Sequence, residues 1–198
     1  MNVPENFRAT LESAASMRVM AHPTRLKLLG LLRELGPQTA AQLSESVDEA
    51  PGTLSYHLNK LASINLIEPA PDQGSDRRER WWRATATMTS WEPAELMDDP
   101  EQFAASTALL KSVSQGHAAT YGEYLDKAPE LERKWVAAAA SSDYLLQLAA
   151  PELAQLRAEL EALAECWLEV SAANVANGSG DQADIQSVVL MFQAYRRP

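Results

Sequence analysis

Four arginines, Arg77, Arg78, Arg80 and Arg83, fall within seven residues and flank Trp81 and Trp82. Guanidinium groups at that density suit the gripping of phosphate oxygens, and Gly74 with its polar neighbours puts them around a hairpin tip. Upstream, Thr53, Ser55, Tyr56, Asn59 and Lys60 interleave with Leu54, Leu58 and Leu61, which recur at helical spacing. If the leucines face inward, the polar set faces out. Its chemistry is the reading of base edges. An asparagine amide can pair bidentately with adenine, a lysine reaches guanine or phosphate, and serine or threonine hydroxyls meet either. Thr39, at the start of the preceding segment, is counted with this set as a helix cap and backbone contact.

The elements that must position these residues follow from periodicity and breakers. Residues 5–21 carry Phe7, Leu11, Ala14/Ala15 and Arg18/Val19 at roughly three- to four-residue spacing and predict a helix, broken at His22-Pro23-Thr24. Pro23 opens a second helix, rich in leucine from Leu26 to Leu35 and stopped by Gly36-Pro37. Thr39 caps a short helix over 39–47, the turn Asp48–Pro51 follows, and a helix is predicted over 52–63. Leu66 to Ala70 reads as a strand, 72–76 as a hairpin tip, and 78–85 as the return strand. On an alternating strand Arg78, Arg80 and Trp82 share one face, and Arg77, Glu79, Trp81 and Arg83 the other. One tryptophan is then expected beneath the sheet, and the other bordering the ligand or covering arginine stems. Helices followed by a two-stranded wing make a winged helix-turn-helix. The fold expectation is mainly α (α+β), with a largely helical C-terminal region.

The segments HPTRLKLLGLL from His22, TAAQLSESVDEAPGTLSYHLNKLASINLIE from Thr39 and RRERWWRA from Arg77 resemble the ArsR/SmtB-type winged-helix regulators. The similarity covers about residues 15–85. It is greatest to the branch with an extra C-terminal region. The resemblance implies a homodimer on palindromic double-stranded DNA, often a repressor released by an effector, with the dimer built from helices at about 5–20 and 100–127. Two departures bear on what carries over. Metal-sensing members place paired cysteines on the helix before the recognition helix, whereas Gln42–Ser46 holds no thiol, so no metal site is expected. The turn often has glycine where this chain has Asp48, a residue that tolerates the left-handed conformation.

A net charge of −10, taken as a total, opposes a polyanionic partner. The charge is unevenly placed. Residues 1–90 carry 10 basic and 10 acidic side chains, whereas residues 91–198 carry 7 and 17. The local field governs attraction to DNA, so the acidic half is expected to face away from it. The chain is read as two domains, 1–90 for DNA binding and 91–198 for dimerisation and effector binding. In the second, helices are expected over about 100–127, 130–140 and 151–174, and Asn177–Asp184 reads as a loop. Tyr144–Leu148 and Ser187–Phe192 could each be a short strand or a helical turn, with strands favoured. Tyr121, Tyr124, Trp135, Tyr144, Trp167, Phe192 and Tyr195 suit either a pocket for a small hydrophobic effector or an ordinary core.

Other chemistry finds little footing. No phosphate-binding glycine loop, G-x-S-x-G elbow or H-E-x-x-H pair occurs, and acidic pairs such as Glu159/Glu161 read as solvated helix faces. No enzyme activity, cofactor or metal is expected. His57 and His22 read as packing or capping residues, His117 lacks metal-ligand spacing, and Cys166 among Ala162, Leu163 and Trp167 reads as a buried thiol. No apolar run is long enough to span a membrane and no apolar signal core is visible, so a cytoplasmic setting is expected. The main alternative is a winged-helix adaptor that binds protein without specific DNA binding. Blander readings are an amphipathic helical hairpin over 39–67 and a solvated wing partly neutralised by Asp72, Asp76 and Glu79.

Overall fold

The computed structural model describes residues 6–73, 79–176 and 185–197. Two compact units divide between Asp126 and Lys127. The first starts with β1 (Asn6–Thr10) and α1 (Ala14–Met20), then α2 (Pro23–Glu34), β2 (Gln38–Thr39) and α3 (Ala40–Leu43). It continues with α4 (Pro51–Ala62), β3 (Ile67–Pro69), β4 (Trp81–Ala84) and β5 (Ala86–Ser90), and ends in the long α5 (Pro100–Lys127).

Apolar side chains from every layer meet in one core. Leu28, Leu29 and Leu32 of α2 pack with Leu43, Val47, and Leu54, Leu58 and Leu61 of α4, closed by Ile67 and Trp82. Each fully buried leucine removes enough apolar surface to contribute about 1.5–3 kcal/mol. α2 ends at the residue pair the sequence marks: Leu35 caps it, and Gly36 takes a φ of 77°, open to a residue without a Cβ. β4 lies between β2 and β3, antiparallel to both, with Glu68 opposite Arg83 and Pro69 opposite Trp82. This is a winged helix-turn-helix.

The N-terminus departs from the predicted helix over 5–21. Residues 6–10 form a strand parallel to β5, in the register Arg8 to Met88 and Thr10 to Ser90. Only from Ser13, whose hydroxyl accepts the Ser16 backbone N–H at 3.1 Å, does the chain turn helical. The strand depends on a partner some eighty residues away, and periodicity within 5–21 carries no trace of it. Arg33 ties α2 to that same edge, donating to the Ala86 carbonyl at 3.0 Å and to the Thr89 hydroxyl at 2.7 Å. Burial lowers its pKa to about 10, so it stays charged at neutral pH.

The first turns of α5 belong to the same core. Ala105, Ser106 and Leu109 are buried, and the Ser106 hydroxyl accepts the Trp91 indole N–H at 2.9 Å. Ser112 donates to the Ala21 carbonyl, and Arg18 pairs with Glu101 at 2.8 Å. Past Val113 no residue of α5 is buried, and Tyr121 and Leu125 are exposed.

The second unit contains α6 (Arg133–Ala138) and α7 (Ala150–Ala176). Among its described residues none is buried. Residues 144–148 and 187–192, expected as strands, are neither strand nor helix, because a strand needs a neighbour to pair with and neither segment has one. Tyr144, Trp167 and Tyr195 are 82%, 61% and 74% exposed, so among the described residues of this unit they form no core. Cys166, expected buried, is exposed as well, since no described residue covers its face of α7. The predicted loop Asn177–Asp184 lies outside the described residues. No helix among the described residues is long and apolar enough to cross a membrane.

Arg33→Ala should lower stability by about 2 kcal/mol, because it strands two acceptors on β5 that a charged donor now satisfies. Urea unfolding followed by circular dichroism would show the loss, and an unchanged midpoint would remove Arg33 from this account.

Candidate nucleic-acid interface

The helix-turn-helix is set by a cap and a seam. Thr39 begins α3 with a reciprocal capping box: its hydroxyl accepts the Gln42 N–H at 3.2 Å, and the Gln42 carboxamide accepts the Thr39 N–H at 2.8 Å. Thr39 is itself buried. Its hydroxyl therefore acts on the helix start, and the structure does not bring it to the surface with the other candidate residues.

The turn from Ser44 to Ala50 leads into α4, which has proline at its first position. Asp48 does not adopt a left-handed conformation; among the described residues only Gly36 and Asn65 have positive φ. The turn forms without the glycine-like geometry the sequence comparison pointed to. Bonds from the Val47 and Ser46 N–H groups to the Leu43 carbonyl close it instead.

With Leu54, Leu58 and Leu61 fully buried, Thr53, Tyr56 and Asn59 are exposed at successive three-residue steps, and Ser55 and Lys60 are half-buried beside them. Ser55 donates to the Pro51 carbonyl at 2.8 Å, and the Lys60 ammonium lies 5.7 Å from the centre of the Tyr56 ring. Asn59 donates from Nδ2 to the Ser55 carbonyl at 2.8 Å and accepts at Oδ1 from Arg80 at 3.2 Å. The guanidinium of Arg80 in turn lies 4.0 Å above the ring of Trp82, a cation–π stack.

The wing arginines differ in their surroundings. Arg83 is held by Glu68 at 2.8 Å and Asp72 at 3.6 Å. Arg80 is exposed, and no described carboxylate pairs with it. Arg77 and Arg78 lie outside the described residues. The expected division of labour between the tryptophans merges in one residue, since Trp82 is buried under the sheet and also carries the guanidinium. Arg80 and Trp82 share a face, as the alternation implies.

Sequence reasoning missed Arg25. It sits in the first turn of α2, half-buried, with Nε lacking a described hydrogen-bond partner. Burial lowers its pKa, and the neighbouring Tyr56 hydroxyl opposes that shift. The available signal was a cation beside the proline that opens a leucine-rich helix. Nearby, His22 and His57 pack with ring centres 4.6 Å apart, His57 Nε2 lies 3.5 Å from Glu49 Oε2, and Thr24 donates to the other Glu49 oxygen. No group of three histidines, cysteines or acidic residues among the described residues is placed to hold a metal.

Residues 20–70 match the family model described as a helix-turn-helix domain. The match runs from the end of α1 through β3, so it covers both helices of the motif and the first wing strand. Over these residues the chain carries a helix-turn-helix domain, a kind of unit that suits binding to DNA. No curated protein matches the chain.

His22 is held below the ordinary histidine pKa by burial first, then by the charges of Arg25 and His57, with Glu49 opposing. The folded state therefore binds fewer protons than the unfolded one just below pH 6.5, and stability is lost as pH falls through that region. The melting temperature should drop between pH 7.5 and pH 5.5, and His22→Gln should flatten the dependence. A wild-type profile flat over this range would contradict the burial argument.

Proposed function

We propose that the chain is a cytoplasmic, sequence-specific transcriptional regulator of ArsR/SmtB type, a homodimeric repressor on a palindromic operator. Its reading helix is α4, within the expected 52–63 span, and its wing is residues 72–83. Residues 1–90 act as the DNA-binding part and residues 91–198 as the dimerisation and effector part. The observation that carries this reading is the outward side of α4, with Thr53 and Tyr56 exposed and Asn59 fastening Arg80 beside them, open to an anionic acceptor. Hydrogen-bonding side chains on an exposed second helix, flanked by an arginine on the wing, are what the major groove and adjoining phosphates require. Arg25, next to Tyr56, adds a second cation on this side.

The homodimer draws support from α5, which carries exposed Leu110 and, past Val113 where it leaves the core, exposed Tyr121 and Leu125. Pairing these helices about a two-fold axis sets two reading helices about 34 Å apart, one turn of duplex. Release by a small hydrophobic effector would draw on the exposed aromatics of residues 127–198. The same exposed side chains favour a second reading, in which the winged helix is an adaptor that binds protein.

A selection on random duplexes at near-physiological salt separates the two. The regulator reading expects an enriched palindrome with half-sites about ten base pairs apart. A folded protein that enriches no sequence would support the adaptor. With an enriched duplex in hand, Arg80→Ala should weaken binding to all sequences and reduce the slope of log K against log salt by about 1.

A further inference from the structure

We infer that Asn59 is a positioning residue which fixes Arg80, and through it the wing, against the reading helix, and that Asn59 does not itself read a base. The inference rests on the DNA-binding reading above. To recognise adenine an asparagine must offer both ends of its amide, Oδ1 as acceptor and Nδ2 as donor. In Asn59 each end already makes one bond within the chain, Nδ2 to the Ser55 carbonyl and Oδ1 from Arg80, so swinging the amide round to meet a base would break both. The amide's orientation is forced. Turned over, Oδ1 would face a carbonyl oxygen and Nδ2 would face a guanidinium, which has no acceptor.

Arg80 is then clamped from two directions. Asn59 holds one terminal nitrogen, and the buried Trp82 supports the planar face at 4.0 Å. A guanidinium has five N–H donors, and the bond to Asn59 uses one. Among the described residues no carboxylate takes up the others, which leaves them for a phosphate, with most of the side chain's rotamer freedom already removed before DNA arrives, and such preorganisation lowers the entropic cost of contact. Arg80 stands at the root of the wing, immediately before β4, so the clamp also couples the angle of the wing to α4. Arg83, held by Glu68 and Asp72, lacks this open edge.

The test is a double-mutant cycle on the enriched duplex, with Asn59→Ala, Arg80→Ala and the double variant, together with the selection repeated on Asn59→Ala. Asn59→Ala should weaken binding by about three- to tenfold in the wild-type background, the scale of one hydrogen bond. In the Arg80→Ala background it should cost less than about twofold, because the group it positions is gone. The enriched sequence should not change. In the free protein, Asn59→Ala should also speed rotation of the Arg80 guanidinium, read from its side-chain nitrogen resonances. Equal losses in both backgrounds, relaxed preference at one base position, or an unchanged Arg80 signal would each overturn the inference. A wild-type protein that enriches no duplex would instead fail the DNA-binding reading, and this inference with it.

Discussion

The apolar seam between α2 and α4 decides the rest of the first unit. Leu28, Leu29 and Leu32 on one side and Leu54, Leu58 and Leu61 on the other are withdrawn from water almost completely. A helix has only one circumference, so burying that stripe fixes what the opposite side presents. Thr53, Tyr56 and Asn59 face outward because the leucines cannot. Removing any one of those leucines would cost about 2–5 kcal/mol, a large fraction of the stability of a domain this size. The interface is in this sense a consequence of the core.

The wing depends on the same seam through Trp82. Its indole lies in the core between β2 and β3 while its upper face supports Arg80, so one residue joins burial to the presentation of charge. Asn59 completes the link from the helix side. Two parts of the surface that are far apart in sequence are thereby held in one geometry. Charge is divided along the chain as well: residues 1–90 carry equal numbers of acidic and basic side chains, and the excess acidity lies beyond residue 90.

The second unit contrasts with the first. α7 has an apolar stripe of the correct period, with Leu163, Trp167 and Val170, but all three are exposed. A unit in which no described residue is buried has not met the condition under which isolated small domains are stable. The physics that explains the winged helix, burial of a stripe against a second element, is what these residues lack within their own unit.

Much of this could be read from the amino-acid sequence. The leucine spacing, the Gly36-Pro37 stop and the Thr39 cap determine α2, α3 and α4, because each depends on neighbours within a few residues. They also determine which side of α4 is polar. Tertiary structure alone decided what depends on distant partners. The pairing of β1 with β5 replaced a predicted helix, Arg33 found acceptors on β5, and the turn closed without a left-handed Asp48. The exposure of Cys166 belongs here too, since a helix's pattern says which side wants burial and cannot say whether a partner is present. Above all, the roles of the candidate contacts were set by contacts across sequence: Thr39 is withdrawn into a cap, Arg83 is taken up by Glu68 and Asp72, and Asn59 is joined to Arg80. A side chain's type states what it can bond, and only the fold determines which of those bonds are already made.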